Sequence, residues 1–421
     1  MSHDRITMDA QALFERGYQS YELGDHREAV ECFTRAIRLR PDVAAAYRYR
    51  ALAYLELGQR TDALNDLDQA VRRKPDDPVV LADRARLLFR QKAYEAAIAD
   101  CDRVLALDAG LAPIYGLRGE CYAAHGDTEK ALADFAQAIA MDSEHAADYL
   151  LSRAELYLEY DQLERCIADC TAILEQDPEN AWAYQTRGLA YREMQESEAA
   201  EADFSAAIGL NPNLSIAWLA RATVRLAARQ YPEAAADCDE ALTRSPQLGK
   251  AYEVRGTCRL QLQETDGALR DYSEAIRLAP QSPIGFNLRA GVHYLRKEYR
   301  AAIQDHMEAL KRDPKNAGTF NQLGWIWSTA PDPDIRNGRQ AKECATRACE
   351  LTEWQEPGYL DTLAAACAEC GDFEEAVRWQ KKAAELAPAA VQPEYAQRLK
   401  LYENGKPFRA TPTSGSFSEM L

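Results

Sequence analysis

Arginine recurs at a fixed spacing over most of the chain, and an aspartate follows almost every one of these arginines at a fixed distance. The arginines, spaced 34 or 35 residues apart, are Arg16, Arg50, Arg84, Arg118, Arg153, Arg187, Arg221, Arg255 and Arg289. Sixteen residues after each of the last eight comes Asp66, Asp100, Asp134, Asp169, Asp203, Asp237, Asp271 or Asp305. A row of guanidinium groups could bind an anionic ligand, but matched carboxylates favour one internal ion pair per repeat.

Two pairings of these residues are possible if each repeat is a helical hairpin. The arginine lies level with the aspartate of its own repeat, and that aspartate also lies about level with the next repeat's arginine. Pairing within the repeat leaves only Arg16 without a partner, opposite Cys32. Pairing to the next repeat would leave Arg16, Arg50 and Asp305 without partners. We therefore favour pairing within the repeat and expect some arginines to bridge both repeats.

Two further groups have residue types that bind metals. Four thiols, two of them in a CxxC, could hold zinc: Cys344, Cys349, Cys367 and Cys370. His293 and His306 belong to one repeat and stand where other repeats have core residues. The CxxC falls within a predicted helix, so we favour core packing over metal binding for both groups. No Gly-rich phosphate loop, GxSxG or HExxH appears, and the sequence predicts neither an enzyme nor a cofactor.

Residues 42–75 show how one repeat folds. Tyr47, Ala51 and Tyr54 recur at spacings of three and four residues, which predicts an amphipathic helix. Gly58 ends that helix in the manner of a C-cap glycine. A second helix of similar length follows and is closed by a proline, and its apolar face carries Ala63, Leu67 and Ala70. The repeat is therefore a pair of antiparallel helices.

Small residues recur at fixed positions of these hairpins, where two helices approach closely. At position 20 of the repeat stand Ala29, Ala63, Ala97, Ala131, Cys166, Ala200, Ala234, Ala268, Ala302, Ala341 and Ala376. With aromatics at positions 4, 11 and 24 and proline at 32, the unit resembles a tetratricopeptide repeat. The resemblance implies an all-α fold, a superhelical solenoid of about eleven helix-turn-helix repeats with a C-terminal capping helix.

The period also divides the chain. We expect a short N-terminal segment over 1–7, nine regular repeats over 8–314 and two divergent repeats over 315–388. The first divergent repeat has a lengthened turn, PDPDIRNGR, and the pair resembles a terminal module of many bacterial tetratricopeptide proteins. A capping helix is expected over 389–403 and a flexible tail, rich in Gly, Pro, Ser and Thr, over 404–421.

In this family the inner faces of the first helices line a concave groove that binds peptides. Carried over to this sequence, the groove residues are Tyr18, Tyr21, Arg48, Arg86, Phe89, Trp182, Arg192, Asn287, Tyr294, Asn321 and Trp325. Its middle is acidic, with Glu120, Glu155 and Glu159. The lining is mixed, which suits an extended segment anchored by aromatic pockets and placed by charges. The Lys and Asn set by which some members hold a C-terminal carboxylate is not found.

The composition restricts the classes of partner that we expect. The formal net charge is −17 and no dense Lys/Arg cluster opposes it, so we expect no nucleic acid and no anionic membrane partner. The N-terminus lacks an apolar signal region and the eleven cysteines are scattered, which favours free thiols and a cytoplasmic protein. The sequence predicts a non-catalytic scaffold or adaptor that binds a protein or peptide. The alternatives are an RNA-binding helical-repeat protein and a metal-dependent regulator; the oligomeric state stays open.

Overall fold

Every regular element of the described chain is an α-helix. The computed structural model describes residues 3–410 of the 421, with side chains from Met8 onward. It contains 23 helices within that range, and successive helices pair into hairpins from α1 to α10 and from α13 to α22, with α23 following alone. The predicted all-α repeat architecture is confirmed. The chain divides after Ala199, inside the twelfth helix, into two compact units.

The first unit holds hairpins of helices that are mostly 13 or 14 residues long. Its helices are α1 His3–Glu22, α2 His26–Leu39, α3 Ala44–Glu56, α4 Arg60–Arg73, α5 Pro78–Arg90, α6 Tyr94–Leu107, α7 Ala112–His125, α8 Thr128–Met141, α9 Ala146–Glu159, α10 Leu163–Gln176 and α11 Ala181–Glu193. α1 already begins at His3, within the segment predicted to precede the repeats. Met1 and Ser2 lie outside the described residues.

The second unit continues the pattern from α12, most of which it contains. Its helices are α12 Ser197–Leu210, α13 Ser215–Ala227, α14 Tyr231–Arg244, α15 Gly249–Gln261, α16 Thr265–Leu278, α17 Ile284–Leu295, α18 Tyr299–Arg312, α19 Ala317–Thr329, α20 Gly338–Leu351, α21 Pro357–Glu369, α22 Phe373–Leu386 and α23 Gln392–Glu403. The longest connection between the two helices of a hairpin is the predicted long turn, which joins α19 to α20.

Every hairpin turn except the long one between α19 and α20 has a left-handed residue shortly after its first helix. In the second repeat Gly58 has φ +75°, and the amide of Gln59 donates to the carbonyl of Tyr54 at 2.8 Å. This arrangement satisfies carbonyls that the helix end leaves without partners. The equivalent residue of other repeats need not be glycine, since Lys92 at φ 62° and Arg229 at φ 60° adopt the same conformation.

The hairpins close tightly because small residues face large ones across them. Ala63 and Ala70 are fully buried in the second repeat. In the eighth, a Cβ added at Gly256 would lie 2.7 Å from Cε1 of Tyr272, itself fully buried. Even a methyl group at Gly256 would therefore displace the aromatic ring that fills this hairpin, which explains why this repeat has glycine at position 8.

The odd-numbered helices up to α21, here called the first helices, lie closer together than the even-numbered second helices. Within the first unit α7 contacts α9 and α9 contacts α11, and within the second α13 contacts α15. In the described residues no two successive second helices approach as closely. A stack that is tighter along one layer curves toward that layer, so within each unit the first helices form the inner side. We call their solvent-facing surface the inner face.

The final helix is held by a buried polar cluster. Arg398 of α23 pairs with Asp361 of α21, whose other carboxylate oxygen accepts a hydrogen bond of 2.8 Å from Gln380 of α22. Asp361 and Gln380 are both buried. One carboxylate thus joins three helices, and α23 covers the last hairpin where a capping helix is predicted.

The chain after α23 differs from the expected tail. Its last described residues bind the ends of α19 and α21, because the amide of Ala410 donates to the carbonyl of Thr329 at 3.0 Å and Arg409 pairs with Glu369 at 2.7 Å. The remainder of the predicted tail, 411–421, lies outside the described residues. Among the described helices, none is both long and apolar enough to cross a bilayer.

Candidate functional site

The repeated arginines are bound to the aspartates of their own repeats. In the second repeat Arg50 donates two hydrogen bonds of 2.7 Å, one to each carboxylate oxygen of Asp66. The same two-pronged contact joins Arg84 to Asp100, Arg118 to Asp134, Arg153 to Asp169, Arg221 to Asp237, Arg255 to Asp271 and Arg289 to Asp305. The predicted pairing within the repeat is confirmed for these residues, and it neutralises the arginines as anion ligands.

Six of these seven arginines, all but Arg153, also contact the preceding repeat, but not through its laddered aspartate. Nη1 of Arg84 contacts Asp68 at 2.8 Å, and Nη1 of Arg50 donates to Thr34 at 2.9 Å. In each case the acceptor lies two residues after the position that the sequence suggested. The difference arises because helical side chains two residues apart point in different directions, and only the later one faces the next hairpin. Arg50 and Arg84 therefore each fasten two hairpins together.

The first arginine of the ladder has its own partner. The sequence leaves Arg16 alone opposite Cys32, but its Nε donates to Glu28 at 3.0 Å. Glu28 lies one turn before Cys32 on α2, so the guanidinium reaches it by extending along the hairpin. The pair is exposed, unlike the pairs of the later repeats.

Aromatic side chains crowd the inner face at the start of the first unit. Tyr18, which is exposed, packs edge-on against Tyr49 with ring centroids 5.2 Å apart, and Tyr21 contacts the same ring at 6.4 Å. Tyr49 also stacks on Phe33, at 6.1 Å. The sequence predicted the two tyrosines of α1 as groove residues but missed Tyr49, which brings them together from α3.

Basic side chains follow on α3 and α5. Nε of Arg48 contacts Asp83 at 2.6 Å, and Arg86 reaches the other oxygen of that carboxylate at 3.4 Å. Arg86 is the more exposed of the two arginines and has donors left for an external acceptor. Phe89, one turn further on, is half-buried against Tyr94. The structure thus joins three predicted residues, Arg48, Arg86 and Phe89, into one stretch.

The inner face then becomes acidic. On α7 the pKa of Glu120 is raised, first by burial and then by the negative charges of Glu155 and Asp148 on α9. Burial also raises the pKa of Glu155. A cationic side chain placed here would offset both causes and favour the ionised carboxylates. The predicted acidic middle therefore has the electrostatics of a site for a basic residue.

A large aromatic stands exposed near the end of the first unit. Trp182 on α11 leaves 50% of its surface in solvent, and no ring partner of it is found among the described residues. Arg192, on the same helix, bonds to Glu193 at 2.6 Å and stays partly exposed. A half-exposed indole without a ring partner is the kind of side chain that anchors protein partners.

In the second unit, the predicted groove residue Asn287 contributes to a buried network. Its side-chain oxygen accepts a hydrogen bond from Thr319 at 3.1 Å and lies 3.0 Å from Nδ1 of His306. His306 is buried and sits at the aromatic position of its hairpin, as expected of a core residue. His293 instead contacts Glu298, at 2.6 Å. Asn287 is thus tied to α18 and α19 by its polar end.

The burial of His306 gives a prediction for acid stability. Burial lowers the pKa of His306 to about 4, below the value of about 6.5 for an exposed imidazole. Between these two pH values the imidazole is protonated in the unfolded chain but stays neutral in the folded chain. The free energy of unfolding therefore falls as the pH falls. We expect the wild type to lose about 2 kcal/mol more than His306→Phe between pH 7 and pH 5 in urea unfolding. An identical pH dependence in both proteins would contradict it.

The last predicted groove residues are largely enclosed. Tyr294 is buried, and its hydroxyl accepts a hydrogen bond of 3.2 Å from the indole of Trp325. The Trp325 ring is half-buried and lies 5.8 Å from Phe408, in the segment after α23. Asn321 is half-buried as well, with a side-chain oxygen that has no partner in the described chain. Trp325 is thus covered by the chain itself.

The cysteines are free, and most are buried. Of the four considered for zinc, Cys349 and Cys367 are buried, Cys344 is half-buried and Cys370 is exposed. Burial raises the pKa of Cys349 to about 12 and that of Cys367 to about 11. Within the described residues no group of three or more His, Cys, Asp or Glu side chains is arranged to hold a metal ion.

Comparisons with known proteins agree with the repeat architecture. A family model described as a tetratricopeptide repeat matches residues 14–78, 50–112, 117–181, 186–248 and 255–317. A second model of the same description matches 358–389. Together the matches cover more than half of the chain, and the tenth hairpin with its long turn falls between them. A comparison with curated protein sequences gives no match.

The chain is also similar to solved structures of low sequence identity. The APC/C hetero-tetramer Cut9–Hcn1 is 12% identical over 96% of both chains, with a TM-score of 0.50. A tetratricopeptide repeat protein from Parabacteroides merdae ATCC 43184 is 21% identical over 58% of this chain and 97% of its own, with a TM-score of 0.49. Yeast Tom70 is 16% identical over 94% and 96%, with a TM-score of 0.40.

Proposed function

Because this chain belongs to the tetratricopeptide repeat family, we propose that it is a non-catalytic scaffold that binds an extended protein segment on the inner face of its first unit. The family supports a role in protein interaction in general. The finer assignment rests on one observation: aromatic, basic and acidic side chains follow each other along the first helices, exposed at two aromatic positions and one basic position and half-buried at Glu120. They run from Tyr18 through Arg86 and Glu120 to Trp182.

The charges along this face indicate which side chains the partner segment would carry. Arg86 retains donors beyond its contact with Asp83, so an acidic side chain of the partner belongs beside α5. A nearby cation would favour the ionised forms of Glu120 and Glu155, so a basic side chain of the partner belongs beside α7 and α9. Trp182 supplies apolar surface for an aromatic or aliphatic anchor. The segment we propose is therefore of mixed charge, with an apolar residue at one end.

Pull-down from lysate of the native cells tests this assignment. The wild-type chain is compared with the double variant Phe89→Ala/Trp182→Ala and with Leu107→Ala, which removes a side chain of equal exposure to Trp182, 50%, from a second helix. Loss of an aromatic anchor costs roughly 2 kcal/mol or more, which is about thirtyfold in affinity. We expect the double variant to lose a partner that wild type and Leu107→Ala both retain. A partner set that is identical for all three proteins would rule out the inner face of the first unit.

A further inference from the structure

The last described residues form a short strap over the end of α19. We call Lys406–Ala410 the strap. Its final amide, that of Ala410, donates to the carbonyl of Thr329 at 3.0 Å, and Nη1 of Arg409 lies 3.2 Å from the carbonyl of Ser328. Nη2 of Arg409 pairs with Glu369 on α21 at 2.7 Å. Backbone and side chain of the strap thus both bind the fold.

An aromatic side chain anchors the strap beside the ion pair. The ring of Phe408 lies 5.8 Å from that of Trp325, between centroids, at an interplanar angle of 42°. The guanidinium of Arg398 lies 5.0 Å from the Phe408 centroid and 5.2 Å from that of Trp325. Because Arg398 is held by Asp361 and Trp325 by Tyr294, the surface that receives Phe408 is fixed by contacts that do not involve the strap.

The end of α19 needs hydrogen-bond donors that the helix itself cannot supply. The last carbonyls of an α-helix have no partner within it, and Ser328 and Thr329 are both buried. The strap supplies two donors to these carbonyls, and an extended peptide of another chain could supply the same two. The site therefore combines backbone acceptors, an aromatic surface and the carboxylate of Glu369.

A turn at Gly405 separates the strap from α23. The amide of Gly405, at φ +66°, donates to Tyr402, and the amide of Lys406 donates to Leu401 at 2.9 Å. These two hydrogen bonds satisfy carbonyls at the C-terminal end of α23. The cap uses only the first residue of the strap, so release of Pro407–Ala410 leaves α23 capped and docked through Arg398.

From these contacts we infer that the surface of Trp325, Arg398 and Glu369 is a peptide-docking site for an extended partner segment with an aromatic residue followed by arginine. The chain's own Phe408–Arg409 pair occupies it and is displaced when such a partner binds. A backbone hydrogen bond with side-chain anchors is how short extended segments are recognised. The tether makes the strap a competitor at an effective concentration of millimolar order.

This inference deepens the proposed function, because it rests on segment binding by first helices, but its site lies wholly in the second unit. It can be tested with the strap sequence as the probe and needs no natural partner. Failure of the strap test would leave the proposed inner face of the first unit untouched, and failure of the pull-down would leave the strap test valid.

The probe is an acetylated peptide NGKPFRA, residues 404–410, at up to about 1 mM, the scale set by the tether. Its binding to the full-length chain is followed by ligand-observed NMR, which detects weak affinities. The proteins are wild type, Phe408→Ala/Arg409→Ala, and that double variant with Trp325→Ala added. A peptide with both Phe and Arg replaced by Ala is the control ligand. Single Arg409→Ala serves if the double variant loses helix content by circular dichroism.

We expect the double variant to bind the peptide at least about tenfold more tightly than wild type, since the tethered competitor is removed. Arg409→Ala should bind with a smaller gain, and the added Trp325→Ala or the control peptide should abolish binding. The inference is overturned if no strap variant binds the peptide, if wild type binds as tightly as the double variant, or if Trp325→Ala leaves binding unchanged.

Discussion

Replacing Arg84 with alanine is expected to lower the free energy of unfolding by about 3–5 kcal/mol. The substitution leaves the carboxylate of Asp100, whose side chain is 3% exposed, without its two-pronged partner. It also removes the contact of Arg84 with Asp68 in the preceding hairpin. An uncompensated buried charge is costly, and the loss should appear in urea unfolding of the full-length chain.

Arg86→Ala is the matched control for Arg84→Ala. Arg86 lies on the same helix and pairs with Asp83, but its side chain is 54% exposed. Exposed pairs contribute about 0–1 kcal/mol. The double variant Arg84→Met/Asp100→Leu should recover much of the stability, because no buried charge remains. Equal losses for Arg84→Ala and Arg86→Ala would contradict a structural role for the ladder.

Replacing Arg398 with alanine is expected to cost a similar 3–5 kcal/mol and to loosen α23. Asp361 would keep the hydrogen bond from Gln380 but lose its cation, while remaining buried among three helices. The amides of α23 should then exchange with deuterium faster than those of α21. Mass-spectrometric hydrogen exchange measures this directly.

Arg378→Ala serves as the control in the last hairpin. Arg378 pairs with Glu375 along α22, with its side chain 69% exposed. Its removal should change stability by less than about 1 kcal/mol and leave exchange in α23 unaltered. If α23 exchanges as slowly in Arg398→Ala as in wild type, the buried pair does not hold the final helix.

The fold could be predicted from the sequence because one hairpin is repeated with small residues at its close contacts. Ala63 and Gly256 must be small because of contacts within their own hairpins. Such residues therefore recur with the repeat and are visible in the sequence. The left-handed turn residues were predicted only where glycine marks them, as at Gly58. Lys92 and Arg229 adopt the same φ because the surrounding hairpin fixes the turn, at a local cost of about 1–2 kcal/mol.

The candidate site was less predictable, since it depends on contacts between distant residues. The period placed Arg84 level with Asp100, but it could not show that Nη1 turns back to Asp68. Family positions placed Trp325 on the inner face, and nothing in the sequence placed Phe408 upon it. The segment KPFRA lies in a stretch whose composition is typical of a tail; its paired aromatic and arginine were the available signal.

The most direct test of the central claim, that the inner face of the first unit holds a protein segment, is site-specific photo-crosslinking in the native cells. A benzophenone amino acid replaces Trp182 on first helix α11 or Leu107 on second helix α6, two side chains of the same 50% exposure. We predict a discrete crosslinked protein from position 182 and none from position 107. Crosslinking from position 107 alone, or equally from both positions, would contradict the claim.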